Sequence, residues 1–199
     1  MYLVDVWNMS YEDYVQHLIK KYGAATCNYF DENGKVIASR TWSDGLECHH
    51  IDEDKIPNLS DDNAWKKYPQ YQTADRLVYC NRIEHLILHA KIAKMNDKKN
   101  NLRGSISYFR GGPELLIRRL NDAYTETPND YDWNSRVHFR VRKWLPLYVQ
   151  VLKRIELDMK ELGYSDADID SLLFSCSYDI PDPVIDCFNK NNLIDKMVV

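Results

Sequence analysis

Apolar and polar positions change rhythm several times along the chain. Residues 10–22, SYEDYVQHLIKKY, set Tyr14 and Leu18, with Tyr11 and Val15, on one stripe at helical spacing. Ser10 is placed to cap that helix and Gly23 to end it. From Cys27 the pattern turns to alternation on both sides of Asn33-Gly34, a strong signal for a tight hairpin, which predicts two antiparallel strands over residues 27–42. Residues 43–76 carry no period, with several Asp and Asn and two prolines, Pro57 and Pro69. An irregular loop of that length inside a domain is commonly functional. Next, LVYCNRIEHLILHAKIAKM reads as a short extended entry followed by a helix ending near Asn96, with Ile83, Leu86, Ile87 and Ala90 on one side.

The remainder is mainly helical. GGPELLIRRLNDAY has Pro113 just inside its start. Residues 134–162 carry a stripe of Val137, Val141, Leu145, Tyr148, Leu152, Ile155 and Met159, which Pro146 interrupts and so predicts a kink or break. SDADIDSLLF is a further short helix with Ser165 as its cap. From SYDIPDPVIDCF onward the pattern decides nothing. The expected class is α+β: a hairpin–loop–helix unit over 27–103, preceded by a helical segment over 1–26 and followed by a helical region over 104–199.

Composition narrows the function classes. Apolar residues make up 44% of 199, enough for a core, and a net charge of −4 excludes a uniformly basic nucleic-acid coat. No apolar run reaches the roughly 18 residues of a membrane span, and the first residues show no basic-then-apolar leader. The five cysteines (Cys27, Cys48, Cys80, Cys176, Cys187) are scattered, with no CxxC pair. That pattern reads as reduced thiols in a cytoplasmic protein, not a disulfide framework or four-cysteine zinc site.

Four of the six histidines fall into two pairs, His49-His50 and His85/His89. Adjacent residues on extended chain point to opposite sides, so one imidazole of the first pair can face a metal while the other faces a substrate. His85 and His89 are four apart on a predicted helix and share a face. His49, His85 and His89 together offer three imidazoles with coordination positions left over, as a catalytic metal requires. Leu86 follows His85 where an HExxH metalloprotease carries its general-base Glu, which argues against that class.

This stretch resembles the HNH, or ββα-metal, endonuclease family. Cys48-His49-His50-Ile51 matches the end of the family's hairpin, Leu77-Val78-Tyr79-Cys80 its entry to the helix, and His85 and His89 the metal-binding helix. The histidine arrangement is most similar to the colicin-type nucleases, and the resemblance covers about residues 27–95. The chain as a whole also resembles uncharacterised HNH-like proteins of Gram-positive bacteria and their phages. The resemblance implies that His49, His85 and His89 hold one divalent ion, and that His50 is the general base activating water against a phosphodiester. Imidazole ligands favour Zn, Ni or Mn over Mg on softness. One departure is Arg76, standing where the family has an Asn that orients the general-base loop or touches the metal. Asp75 or Arg76 takes over that role, or Arg76 contacts phosphate, or it pairs with a nearby acid. The other departure is the lack of zinc knuckles, which leaves Cys48 and Cys80 as packing residues.

A basic run follows the helix. Residues 82–119 hold nine Lys or Arg against three acids, with Arg82, Lys91, Lys94, Lys98, Lys99 and Arg103 as the candidate phosphate contacts. A second set, Arg136, Arg140, Arg142, Lys143, Lys153 and Arg154, follows, and Trp133, Trp144 and Tyr148 are aromatic enough to stack on bases or pack in a core. Residues 155–199 reverse the sign, with ten acids against three lysines, and that end suits a protein partner better than DNA. The leading expectation is a metal-dependent endonuclease acting on nucleic acid, DNA before RNA. The alternative is a catalytically silent ββα-metal protein that binds or inhibits a partner, and a third is a purely structural zinc site.

Overall fold

The structure, a computed structural model, describes residues 3–38, 44–61, 63–125, 141, 143–175 and 184–187. It is mixed α and β, and the chain forms two compact units, one of residues 11–81 and one of residues 1–10 with 82–199. The units divide at other points than the sequence segments 1–26, 27–103 and 104–199: the boundary after Asn81 falls inside the expected hairpin–loop–helix stretch.

In the unit of residues 11–81, α2 (Tyr11–Tyr22) follows the helical stripe read from the sequence, with Tyr11, Tyr14, Val15 and Leu18 buried. It packs against β2 (Leu77–Cys80), which pairs antiparallel with β1 (Glu47–His50). The register sets Cys48 opposite Tyr79, His49 opposite Val78 and His50 opposite Leu77. A strand's side chains alternate between faces, so Cys48 and His50 lie on the side of the cluster built from Ala38, Leu46, Cys48, Leu77 and Tyr79. His49 lies on the other. The ladder continues one step, with the Ile51 N–H donating to the Arg76 carbonyl at 3.0 Å. Helix α3 (Ala64–Lys67) lies within the long loop.

The expected hairpin over 27–42 is corrected within the described residues. A turn does form at Asn33-Gly34, held by the Asp31 carboxylate, which accepts from the N–H groups of Asn33 and Lys35 at 2.9 and 2.8 Å. Gly34 takes φ +79°, and a Cβ there would lie 2.6 Å from the Trp65 indole nitrogen. The flanks meet in the antiparallel bridge Phe30–Val36, with the Asp31 N–H donating to the Lys35 carbonyl and the Ile37 N–H to the Tyr29 carbonyl, both at 2.9 Å, but among the described residues they do not extend into strands. Val36 and Ile37 remain 43% and 45% exposed, so extending this ladder would bury little apolar surface. The two strands of the sheet instead come from segments separated by the whole loop, and the His-His pair sits in a strand rather than after a hairpin.

The other unit is helical. α1 (Leu3–Asn8) precedes α4 (Arg82–Asn100), α5 (Gly112–Thr125), α6 (Leu145–Glu161) and α7 (Asp166–Leu173). Helix α4 packs on α5 and α6 and runs a turn beyond Asn96, because Asp97 is an anchor there. Its buried carboxylate accepts from Ser107 Oγ at 2.6 Å, the Tyr108 N–H at 2.8 Å and Tyr164 Oη at 2.7 Å. Of the kink or break expected at Pro146, the structure shows a break: the proline stands in the first turn of α6, where its missing N–H costs nothing. Ser165 caps α7 as expected, accepting from the Asp168 N–H. Val137 and the C-terminal segment around SYDIP lie outside the described residues.

Candidate metal centre

His85 and His89 occupy successive turns of α4, both half-buried on a helix that is otherwise largely buried. Their rings tilt at 44° and their Nε2 atoms approach to 3.2 Å. Two nitrogens bound to one tetrahedral zinc at about 2.0–2.1 Å lie roughly 3.3 Å apart. The pair is therefore spaced for a shared ion without rearrangement. Gly112, which opens α5, sets the His89 ring: a Cβ on Gly112 would lie 2.2 Å from His89 Nδ1. With Nδ1 against that backbone, Nε2 is left to face His85. Gly112→Ala is accordingly expected to weaken metal binding by about 10- to 100-fold, the range for a residue that orients a ligand without being one. Competition against a chelating dye measures it, and unchanged affinity would show that the ring has room.

On β1, His49 and His50 are each 1% exposed and held by different partners. Tyr11 Oη lies 2.9 Å from His49 Nε2 and 3.1 Å from the Ile51 carbonyl. A hydroxyl has one proton and a carbonyl only accepts, so Tyr11 donates to Ile51 and accepts from His49 Nε2–H. Burial, and then the carboxylates of Asp54, Glu53 and Asp52, push the Tyr11 hydroxyl far above its ordinary range, which keeps that proton in place. The tautomer leaves the lone pair of His49 on Nδ1, as a metal ligand needs. His49 on its strand, and His85 with His89 on α4, are thus each left with a ring nitrogen able to ligate a metal ion.

His50 Nε2 meets Gln72 Oε1 at 2.8 Å, and the Tyr29 ring packs over the imidazole at 4.3 Å between centroids. Glu53, also buried, sets one carboxylate oxygen 3.7 Å from His49 Nδ1 and the other 3.9 Å from His50 Nδ1. The carboxylate favours positive charge in that space, whether on an ion or on an imidazolium. Sequence reasoning missed Tyr11, Glu53 and Gln72. Tyr11 was visible only as a stripe residue, and nothing in Gln70-Tyr71-Gln72 separates the exposed glutamine from the buried one.

Arg76 is committed to an acid. Its guanidinium clamps Asp52, Nε to Oδ2 at 2.6 Å and Nη2 to Oδ1, while Lys55 Nζ reaches Oδ1 at 3.0 Å. Of the readings open for Arg76, the structure displays the pairing with a nearby acid; Asp75 is exposed. Burial pushes the Asp52 carboxyl up, but the hydrogen bonds and charges of Arg76 and Lys55 outweigh it and hold the group below its ordinary range. Stability from a lowered pKa is present above the unfolded-state value, about 3.9, and fades as pH falls through the folded-state value. Asp52→Ala should therefore cost about 1–3 kcal/mol near neutrality, toward the lower end because the Arg76 and Lys55 side chains are 34% and 61% exposed. The gap between variant and native chain in denaturant titrations should close in acid; a gap independent of pH would argue against the ion pair.

The candidate phosphate contacts divide by burial. Arg82 is fully buried, which removes it from the surface set. Lys91 donates to the carbonyls of Trp7 and Met9 at 2.9 and 2.7 Å, closing the end of α1. Burial lowers its ammonium to about 8. Lys94 pairs with Asp158 and Glu161. These cations are spent on packing because α4 lies against its neighbours along most of its length. Lys98, Lys99 and Arg103 are exposed. Tyr148 is a core residue, stacked on Tyr124 and donating to Asn121 Oδ1 at 2.7 Å. Trp133, Arg136, Arg140 and Arg142 lie outside the described residues.

No helix among the described residues is long and apolar enough to cross a membrane. No protein-family model, curated protein or solved structure matches the chain.

Proposed function

We propose that the chain is a metal-dependent phosphodiesterase of the ββα-metal type that cleaves nucleic acid, DNA before RNA. The observation that carries this reading is the His85 and His89 pair, whose Nε2 atoms stand at ligand spacing, together with a His49-His50 pair whose two imidazoles are held by separate partners. By the sequence resemblance, His49 would join His85 and His89, the latter two through Nε2, in holding one divalent ion. Such an ion stabilises negative charge on a phosphate and its leaving oxygen.

The chain's own residues supply the rest. His50, whose Nε2–H is engaged by Gln72, takes a proton from water at Nδ1, and the Glu53 carboxylate favours the imidazolium that results. The water oxygen bonds to phosphorus, the bond to the 3′ oxygen breaks, and that oxygen is protonated from solvent. The products are a 3′-hydroxyl and a 5′-phosphate. Lys98, Lys99 and Arg103 offer exposed charge for the phosphate backbone. A partner protein at the acidic end and a phage or bacterial cytoplasmic setting belong to the same proposal and rest on the sequence resemblance.

Plasmid cleavage by protein stripped of metal and resupplied with Mg, Mn, Ni or Zn tests the reading. Metal-dependent nicking or linearisation is the expected result. Metal binding without cleavage of any DNA or RNA would overturn it, in favour of a silent binding protein on the same scaffold.

A further inference from the structure

Gln72 is tied down at three points. Its backbone carbonyl accepts from the Tyr29 N–H at 2.8 Å. Its side-chain Nε2 donates to the Leu59 carbonyl at 3.1 Å, and its Oε1 lies 2.8 Å from His50 Nε2. The residue is 5% exposed, and Leu59 is fully buried. These contacts decide which way round the amide sits. A carbonyl can only accept, so the Leu59 oxygen requires the NH2 group, and Oε1 is left facing the imidazole. An oxygen there requires a proton on His50 Nε2. Tyr29, fixed through its N–H to the same residue, packs its ring against the other side of the constraint.

We propose that Gln72 is the positioning residue for His50, holding the ring in the Nε2–H tautomer so that Nδ1 carries the lone pair that accepts the proton from water. This inference rests on the phosphodiesterase reading for its kinetic consequence; the tautomer assignment stands apart from it. The role falls to the long loop between the two strands rather than to Arg76, whose guanidinium is committed to Asp52. A wrong tautomer presents N–H where a base is needed, and general-base catalysis is worth roughly 10²- to 10⁴-fold.

Two variants separate this role from a structural one. Gln72→Leu keeps the approximate volume and removes the acceptor. Gln72→Glu keeps an acceptor for His50 but cannot donate to Leu59. Both lose the tie to the loop carbonyl; only the first loses the tie to the imidazole. Long-range proton–nitrogen correlation spectra of the full chain as purified read the His50 tautomer directly. The expected result is Nε2–H in the native chain and in Gln72→Glu, with the Nδ1–H form appearing in Gln72→Leu. Plasmid cleavage should fall by about 10²-fold in kcat for Gln72→Leu, with little change in KM, and recover to within about threefold for Gln72→Glu. Nδ1–H in the native chain, or Nε2–H retained in folded Gln72→Leu, overturns the proposal. Equal loss of kcat in both variants also overturns it, since a shared loss assigns Gln72 to the loop alone. If Gln72→Leu does not fold, the native and Gln72→Glu tautomers decide. If the native chain cleaves nothing, the phosphodiesterase reading fails while the tautomer measurement still tests the geometry.

Discussion

His50→Ala is expected to reduce metal-dependent cleavage by about 10²- to 10⁴-fold, which corresponds to roughly 3–5 kcal/mol of lost transition-state stabilisation. Metal affinity should change little, because side chains of adjacent strand residues project to opposite faces and His49 keeps its own partner in Tyr11. The variant also leaves Gln72 Oε1 buried beside the space the ring filled, which costs about 1–3 kcal/mol of folding stability. Assays therefore belong well below the variant's melting temperature, with metal content measured beside activity. An active, metal-loaded variant would remove His50 from the chemistry. A variant that loses metal and activity together would recast His50 as part of the metal site.

His85→Ala is the second large effect. It removes one of two nitrogens whose 3.2 Å spacing already suits one ion, so affinity should drop by more than the roughly 100-fold attached to residues that only orient ligands. Bound metal stabilises the native state by about 2.7 kcal/mol at a hundredfold excess over Kd. Added zinc should therefore raise the melting temperature of the native chain and fail to do so for the variant at the same concentration. A zinc-induced shift of equal size in both proteins would show that the ion, if bound, sits elsewhere.

Much of the helical architecture was legible because the signals were local. The stripe in α2, Pro113 in the first turn of α5 and the Ser165 cap of α7 each act within a few residues of where they are read. The shared face of His85 and His89 follows from helical period alone. The pairing of β1 with β2 was not legible, since no turn chemistry connects Glu47–His50 with Leu77–Cys80. Instead, the Asn33-Gly34 signal drew the expected strands to a place where, among the described residues, a bridge forms without extending into strands. Charge was similarly misleading on α4. Counting Lys and Arg registers a basic run, but the count does not distinguish Arg82, buried, or Lys91, bonded to backbone carbonyls, from exposed Lys98 and Lys99.

Residue type and short spacing were enough to select the four chemically able imidazoles, because ligand capacity belongs to the side chain and the i,i+4 relation belongs to any helix. The protonation pattern on His49 and His50 came from elsewhere. It depends on a tyrosine 38 residues before His49 and a glutamine 22 residues after His50. Tautomers are set by whether the nearest neighbour donates or accepts, and those neighbours arrive only when α2 packs on the sheet and the loop folds back over it. For the same reason Arg76, read as a substitute for the family's Asn, is committed to Asp52: the partner it finds within reach is a buried carboxylate, and a charge pair of that geometry outcompetes any role the sequence position suggested.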